Sequence, residues 1–119
     1  MTNDTTDGSR AEALAARYLG ARGLRVLARN YRVRGGEIDL VCADGRTLVF
    51  VEVRLRRRGD FGGAAASITG GKRRRLLLAA RHYLASRAET PCRFDCVLMA
   101  ALDEAAVEWI RDAFSADDV

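Results

Sequence analysis

Two carboxylates, Asp39 and Glu52, stand in stretches that are otherwise largely apolar. Glu52 lies near the end of Thr47 to Val53, where an ionised carboxylate is costly without a partner, an ion or water. In strand periodicity Glu52 and Arg54 share a face with Phe50, while Glu37, Asp39 and Val41 share a face of the preceding segment. The Asp44-Gly45 pair between them is a strong hairpin signal, and a hairpin there brings Asp39 beside Glu52. Two carboxylates so close repel, and a hard divalent cation such as Mg2+ or Mn2+ relieves the repulsion. Such an ion polarises a phosphodiester and lowers the pKa of an attacking water. The other use of this pattern is structural, with Glu52 in an ion pair with Arg54 or another arginine at the sheet end.

The elements that must position this pair are legible in outline. Ala11, Leu14, Ala15, Tyr18 and Leu19 recur at helical spacing. Ser9 as cap, Glu12 three residues on and Gly23 as stop predict a helix over 10–22. Val26 to Tyr31 and Glu37 to Ala43 read as strands separated by a turn at Arg34, Gly35 and Gly36. Thr47 to Val53 is apolar on nearly every residue, so both its faces should be covered, as in a central strand of a layered α/β domain. Residues 54–68, with the glycine-rich 59–63, read as a loop past the sheet edge. Thr69 to Ala85 reads as a second helix, with Leu76, Leu77, Ala80, Tyr83 and Leu84 inward. Its first turns carry Lys72 to Arg75, positive charge at the end where the helix dipole disfavours it, so the cluster either carries a small cost or meets an anion. Strands follow at Arg93 to Met99, after Pro91, and at Ala106 to Ile110. The order of elements favours a mixed sheet flanked by helices.

The chain has 119 residues, 49% of them hydrophobic, enough for one domain with a real core. Residues 1–8 read as a disordered leader, 9–114 as the domain and 115–119 as a frayed tail. No apolar run approaches the roughly 20 residues of a membrane-spanning helix, and the start lacks the basic and apolar segments of a signal peptide. The expectation is a soluble, cytoplasmic protein. Cys42, Cys92 and Cys96 suggest no disulfide framework and fit a reducing compartment. The net charge of +4 conceals an asymmetry: Arg17 to Arg93 holds 18 Lys and Arg against 6 Asp and Glu, whereas Asp103 to Val119 has one Arg against six acids. A basic middle of this kind attracts a polyanion, or is simply a solvated surface in an arginine-rich composition.

The segments Gly36-Glu37-Ile38-Asp39-Leu40-Val41, Val49-Phe50-Val51-Glu52-Val53-Arg54, Lys72-Arg73 and Arg93-Phe94-Asp95 occur in an order that resembles the YraN family of small bacterial proteins, also called UPF0102. The resemblance runs from about Ala11 to Phe114 and includes Tyr18-Leu19 and Arg29-Asn30-Tyr31. That family is similar to archaeal Holliday-junction resolvases and the PD-(D/E)XK nucleases. The resemblance implies a restriction-endonuclease-like three-layer α/β domain, with a central mixed β-sheet flanked by helices. Asp39 and Glu52 would be its metal-binding carboxylates and Glu12 the acidic residue from the first helix, with Glu37 an outer-shell ligand or an arginine partner. Lys72 matches a basic position of the second helix. Arg54 stands where the family usually has Lys; its guanidinium can clamp a phosphoryl oxygen but cannot act as a general base.

These readings point to a divalent-metal-dependent DNA endonuclease, with branched DNA suggested by the resemblance alone. Arg54 would clamp the reacting phosphate, and Arg56, Arg57, Arg58, Lys72, Arg73, Arg74 and Arg75 would contact the backbone without reading bases. A homodimer would suit symmetric incisions, though nothing in the sequence defines its interface. The competing classes are a nucleic-acid-binding module with little or no catalysis, and a protein-interaction scaffold in DNA processing. Asp95 is read as structural, pairing with Arg93 or another basic group, and the lone His82 as structural rather than catalytic. Cys92 and Cys96 lack the second ligand cluster of a zinc site.

Overall fold

The computed structural model describes residues 6–55 and 70–115. Helix α1 spans Asp7–Ala21, three residues longer at its start than the sequence predicts. Its cap is Thr6, not Ser9: the Thr6 hydroxyl accepts from the Ser9 backbone N–H at 3.1 Å. Two of the eight residues expected in the leader therefore open this helix, and residues 1–5 lie outside the described part. At the other end Gly23 takes φ +100°. The Leu24 N–H reaches the Leu19 carbonyl at 3.1 Å and the Gly23 N–H reaches that of Gly20 at 3.2 Å, the paired bonds of a Schellman cap.

Among the described residues five strands follow in one sheet: β1 (Arg25–Val33), β2 (Gly36–Asp44), β3 (Thr47–Leu55), β4 (Cys92–Met99) and β5 (Val107–Phe114). Helix α2 (Gly70–Leu84) lies between β3 and β4 in the chain. The strand order is β1-β2-β3-β4-β5, with β3 and β4 parallel and every other neighbour antiparallel. Among the described residues this is an α/β domain with a central mixed sheet flanked by two helices. A two-residue turn joins β2 to β3, and Gly45 at its first central position has φ +60°, the position where a type II′ hairpin needs glycine.

The core has two layers because β3 is apolar on both sides. Leu48 and Phe50 pack under α2 with Leu76, Leu77, Ala80 and Tyr83. Val49 and Val51 pack under α1 with Ala11, Leu14, Ala15 and Leu19. Each layer closes one face of the sheet, as the uninterrupted apolar run of β3 requires. No helix among the described residues is long and apolar enough to cross a membrane.

The approach of α2 to the sheet depends on Gly36. A Cβ there would stand 2.5 Å from the Arg75 carbonyl oxygen and 3.1 Å from the Ala79 nitrogen, both backbone atoms of α2. Neither can yield without moving the helix. Gly36→Ala is therefore expected to cost about 1–3 kcal/mol, read as a lowered urea midpoint; an unchanged midpoint would show that α2 has slack here.

Candidate functional site

Strict alternation along β1 and β2 fails beside Asp39, apart from a bulge between Val26 and Ala28. Ala28 and Tyr31 both pack against the α2 layer, as do Ile38 and Val41, each pair three residues apart. The ladder pairs Ala28 with Val41, Arg29 with Leu40 and Tyr31 with Ile38, but no pair joins Asn30 to Asp39. Asn30 has φ +53°, in the left-handed region. The expectation that Glu37, Asp39 and Val41 share one face by simple alternation is corrected: both strands change phase between those residues.

The pairing of β2 with β3 runs from Asp44 with Thr47 to Leu40 with Val51. Beyond it, a side chain of β2 takes over the bonding, for Asp39 Oδ2 accepts the Val53 N–H at 2.8 Å. That places Asp39 in hydrogen-bond contact with Glu52. Burial pushes Asp39 above the usual carboxylate range, although the Val53 N–H and Glu52 favour its charged form. Glu52 has less to oppose burial, and with the repulsion of Asp39 it is pushed up to about 8. The two carboxylates thus hold a proton between them near neutral pH.

Glu12 reaches the same neighbourhood from α1. Burial raises its pKa first and the charge of Asp39 second, against a hydrogen bond from Asn30 and the charges of Arg29 and Arg32. Glu37, Glu52, Lys72 and Arg75 line a cavity of about 90 Å³. Glu37 lies 3.6 Å from both Arg32 and Arg75 in ion pairs, so it is an arginine partner. Lys72 lies close enough to favour the charged forms of Asp39 and Glu52. The positive turn of α2 therefore meets anions, which offsets its unfavourable place on the helix dipole.

The remaining predicted residues are dispersed. Arg54 is half-buried two residues beyond Glu52, and the cations lining the cavity are Lys72 and Arg75. The Arg73 guanidinium lies over the Phe114 ring, 5.1 Å from its centroid, which takes it towards β5. Arg74 is exposed, and Arg56, Arg57, Arg58 and the glycine-rich 59–63 lie outside the described residues. Among the described residues, no three His, Cys, Asp or Glu side chains form a ready ion cage.

Two groups set aside in the sequence are structural. Asp95 is fully buried and accepts from Arg93 Nε at 3.0 Å, Trp109 Nε1 at 2.9 Å and the Asp112 N–H at 2.9 Å. His82 Nδ1 is hydrogen-bonded to the Tyr31 hydroxyl. Asn30 is the site residue that reasoning from pattern missed. Its signal was present, since Asn is depleted within strands and is the non-glycine type that most readily turns left-handed.

Comparison with known proteins adds a family. The family described as "Uncharacterised protein family UPF0102" matches residues 11–99. A UPF0102 protein of Dechloromonas aromatica is 63% identical over 118 residues, covering 98% of this chain and 96% of its own. One of Methylobacillus flagellatus is 58% identical, covering 92% and 96%. One of Saccharophagus degradans is 45% identical, covering 99% and 100%.

Proposed function

The chain belongs to the UPF0102 family, and from that premise we propose that it is a divalent-metal-dependent endonuclease acting on DNA. The observation that carries the reading is the Asp39 and Glu52 pair: two largely buried carboxylates in contact, with Glu52 pushed up to about 8. A purely structural ion pair would hold a carboxylate down, not up. The donor set fits a hard cation. Mg2+ is commonly held by one or two carboxylates and keeps several waters, so Asp39 and Glu52 suffice as its protein ligands, with Glu12 at the rim. Bound there, Mg2+ or Mn2+ would supply a polarised phosphoryl oxygen and an acidified water.

The chain's own cations complete the proposal. Lys72 and Arg75 line the cavity beside Glu52 and would hold a phosphate by charge, with Arg54 as a further clamp and Arg73, Arg74 and Arg56 to Arg58 extending the contact along the strand. Glu37 keeps Arg32 and Arg75 oriented. A preference for branched DNA, and a homodimer making paired cuts, rest on the likeness to resolvases. The second reading, a binding module without catalysis, is favoured by Arg54, which supplies charge but no general base.

The test is cleavage of labelled single-stranded, duplex, flap and four-way-junction DNA with and without Mn2+, using the intact chain, Asp39→Ala and Glu52→Ala. We expect metal-dependent products, reduced in either variant by more than the roughly 10- to 100-fold that outer partners of a metal site cost, with DNA binding retained. Binding without products would instead establish the module. Neither binding nor products would point to a protein partner.

A further inference from the structure

Asn30 is the one non-glycine residue of β1 with a positive φ among the described residues, and it stands where the ladder register would set it opposite Asp39. The register is the same on either side of this point, with Arg29 paired to Leu40 and Tyr31 to Ile38, and the register shift of this strand pair lies further back, between Val26 and Ala28. Arg29 and Asn30 are both exposed, and the inward side resumes at Tyr31. The same phase change appears in β2 between Ile38 and Val41. A flat, fully paired β2 would continue its alternation through Asp39, whereas the observed break frees its carboxylate to accept the Val53 N–H on β3.

We propose that Asn30 is a positioning residue of the acidic pocket. Its left-handed backbone breaks the β1–β2 ladder and aims Asp39 at Val53 and Glu52. Asparagine suits this task, being among the few non-glycine types that enter the left-handed region readily. The pocket's value as a metal seat rests on the proposed nuclease reading, but the positioning does not require a metal.

The test begins without metal. In the 15N-HSQC spectrum of the intact, EDTA-treated chain, the Val53 amide should be shifted downfield and protected from exchange, and Asp39→Ala should abolish both. Asn30→Gly, which keeps the left-handed backbone, should leave the Val53 amide as in the parent chain, and Asn30→Ala should resemble Asp39→Ala. If Asn30→Ala does not fold, Asn30→Gly and Asn30→Asp still decide, since both tolerate the backbone and must keep the Val53 signal. Loss of that signal in Asn30→Gly, or its persistence in a folded Asn30→Ala, overturns the backbone role.

The Val53 amide reads the position of Asp39 and not a bound ion, so failure of the intact chain to bind Mn2+ in calorimetry would count against the nuclease reading and leave the Val53 result standing.

Discussion

Glu52→Gln is expected to make the metal-free protein more stable at pH 8 while removing the Mn2+ affinity proposed for its pairing with Asp39. Burial and Asp39 push the folded Glu52 up to about 8 from an ordinary value of 4.5. Between those two values the folded state holds a proton that the unfolded chain has released, so stability falls as pH rises through this window. Below about pH 4.5 both states are protonated and this group imposes no loss. Above pH 8 the folded group ionises against its surroundings and the loss is complete. Glutamine keeps the shape and removes the ionisation. We expect a gain of order 2 kcal/mol at pH 8, or roughly 8 °C in melting temperature for a domain of this size, and no gain at pH 4.5. Asp39 is also raised, so a shallower pH slope should survive in the variant. On the proposed metal reading Mn2+ would reverse the order, because its binding would displace the shared proton: the intact chain should be stabilised by the ion increasingly from pH 6 to 8, as mass action requires, and Glu52→Gln should not. Thermal melts with EDTA and with 1 mM Mn2+ across pH 4.5–8.5 read both effects. A Glu52→Gln variant no more stable than its parent at pH 8 would mean that the pair carries no strain.

The layered fold was legible because β3 declares itself. Leu48, Val49, Phe50 and Val51 leave no polar side to a strand, so two layers had to cover it, and α1 and α2 do. The nearness of Asp39 to Glu52 followed from the tight hairpin that folds β3 back along β2. The break at Asn30 and Asp39 did not, because periodicity assumes that every residue keeps its phase, and a single left-handed residue resets it. The start of α1 was misplaced for a related reason. Thr6 and Ser9 both suit a cap, and only the three-dimensional course of the chain decides between them. Strand β5 runs to Phe114, past the expected Ile110, because its end is held by tertiary contacts: Phe114 stacks on Phe94 with ring centroids 5.1 Å apart, and Asp112 turns left-handed to give its N–H to Asp95. A polar stretch such as Arg111-Asp112 shows no strand pattern until its partner is known.

That partner carries the second large effect. Asp95 has no exposed surface, and its two oxygens receive converging donors. Oδ1 accepts from Arg93 Nε and the Asp112 N–H, and Oδ2 from Trp109 Nε1 at 2.9 Å and Arg93 Nη2 at 3.3 Å. Arg93 in turn bonds Asp44 at 2.9 Å, so one carboxylate ties β4 to β5 and, through Arg93, to the end of β2. Asp95→Ala would strand a half-buried indole N–H, a backbone N–H and much of the Arg93 guanidinium, and is expected to cost about 3–5 kcal/mol. Asp95→Asn is informative because it preserves volume. It converts one acceptor into an NH2 donor that must face either the Trp109 side or the Asp112 side, and every group on both sides is itself a donor. Its cost should therefore approach that of alanine, whereas an aspartate serving only to fill space would tolerate asparagine. Urea unfolding followed by the fluorescence of Trp109, the only tryptophan, measures the loss. A red-shifted native spectrum would show that its indole has lost this setting. If Asp95→Asn stays within 1 kcal/mol of the parent, a range typical of a simple neutral hydrogen bond, the convergence of four donors on Asp95 is not what anchors β5.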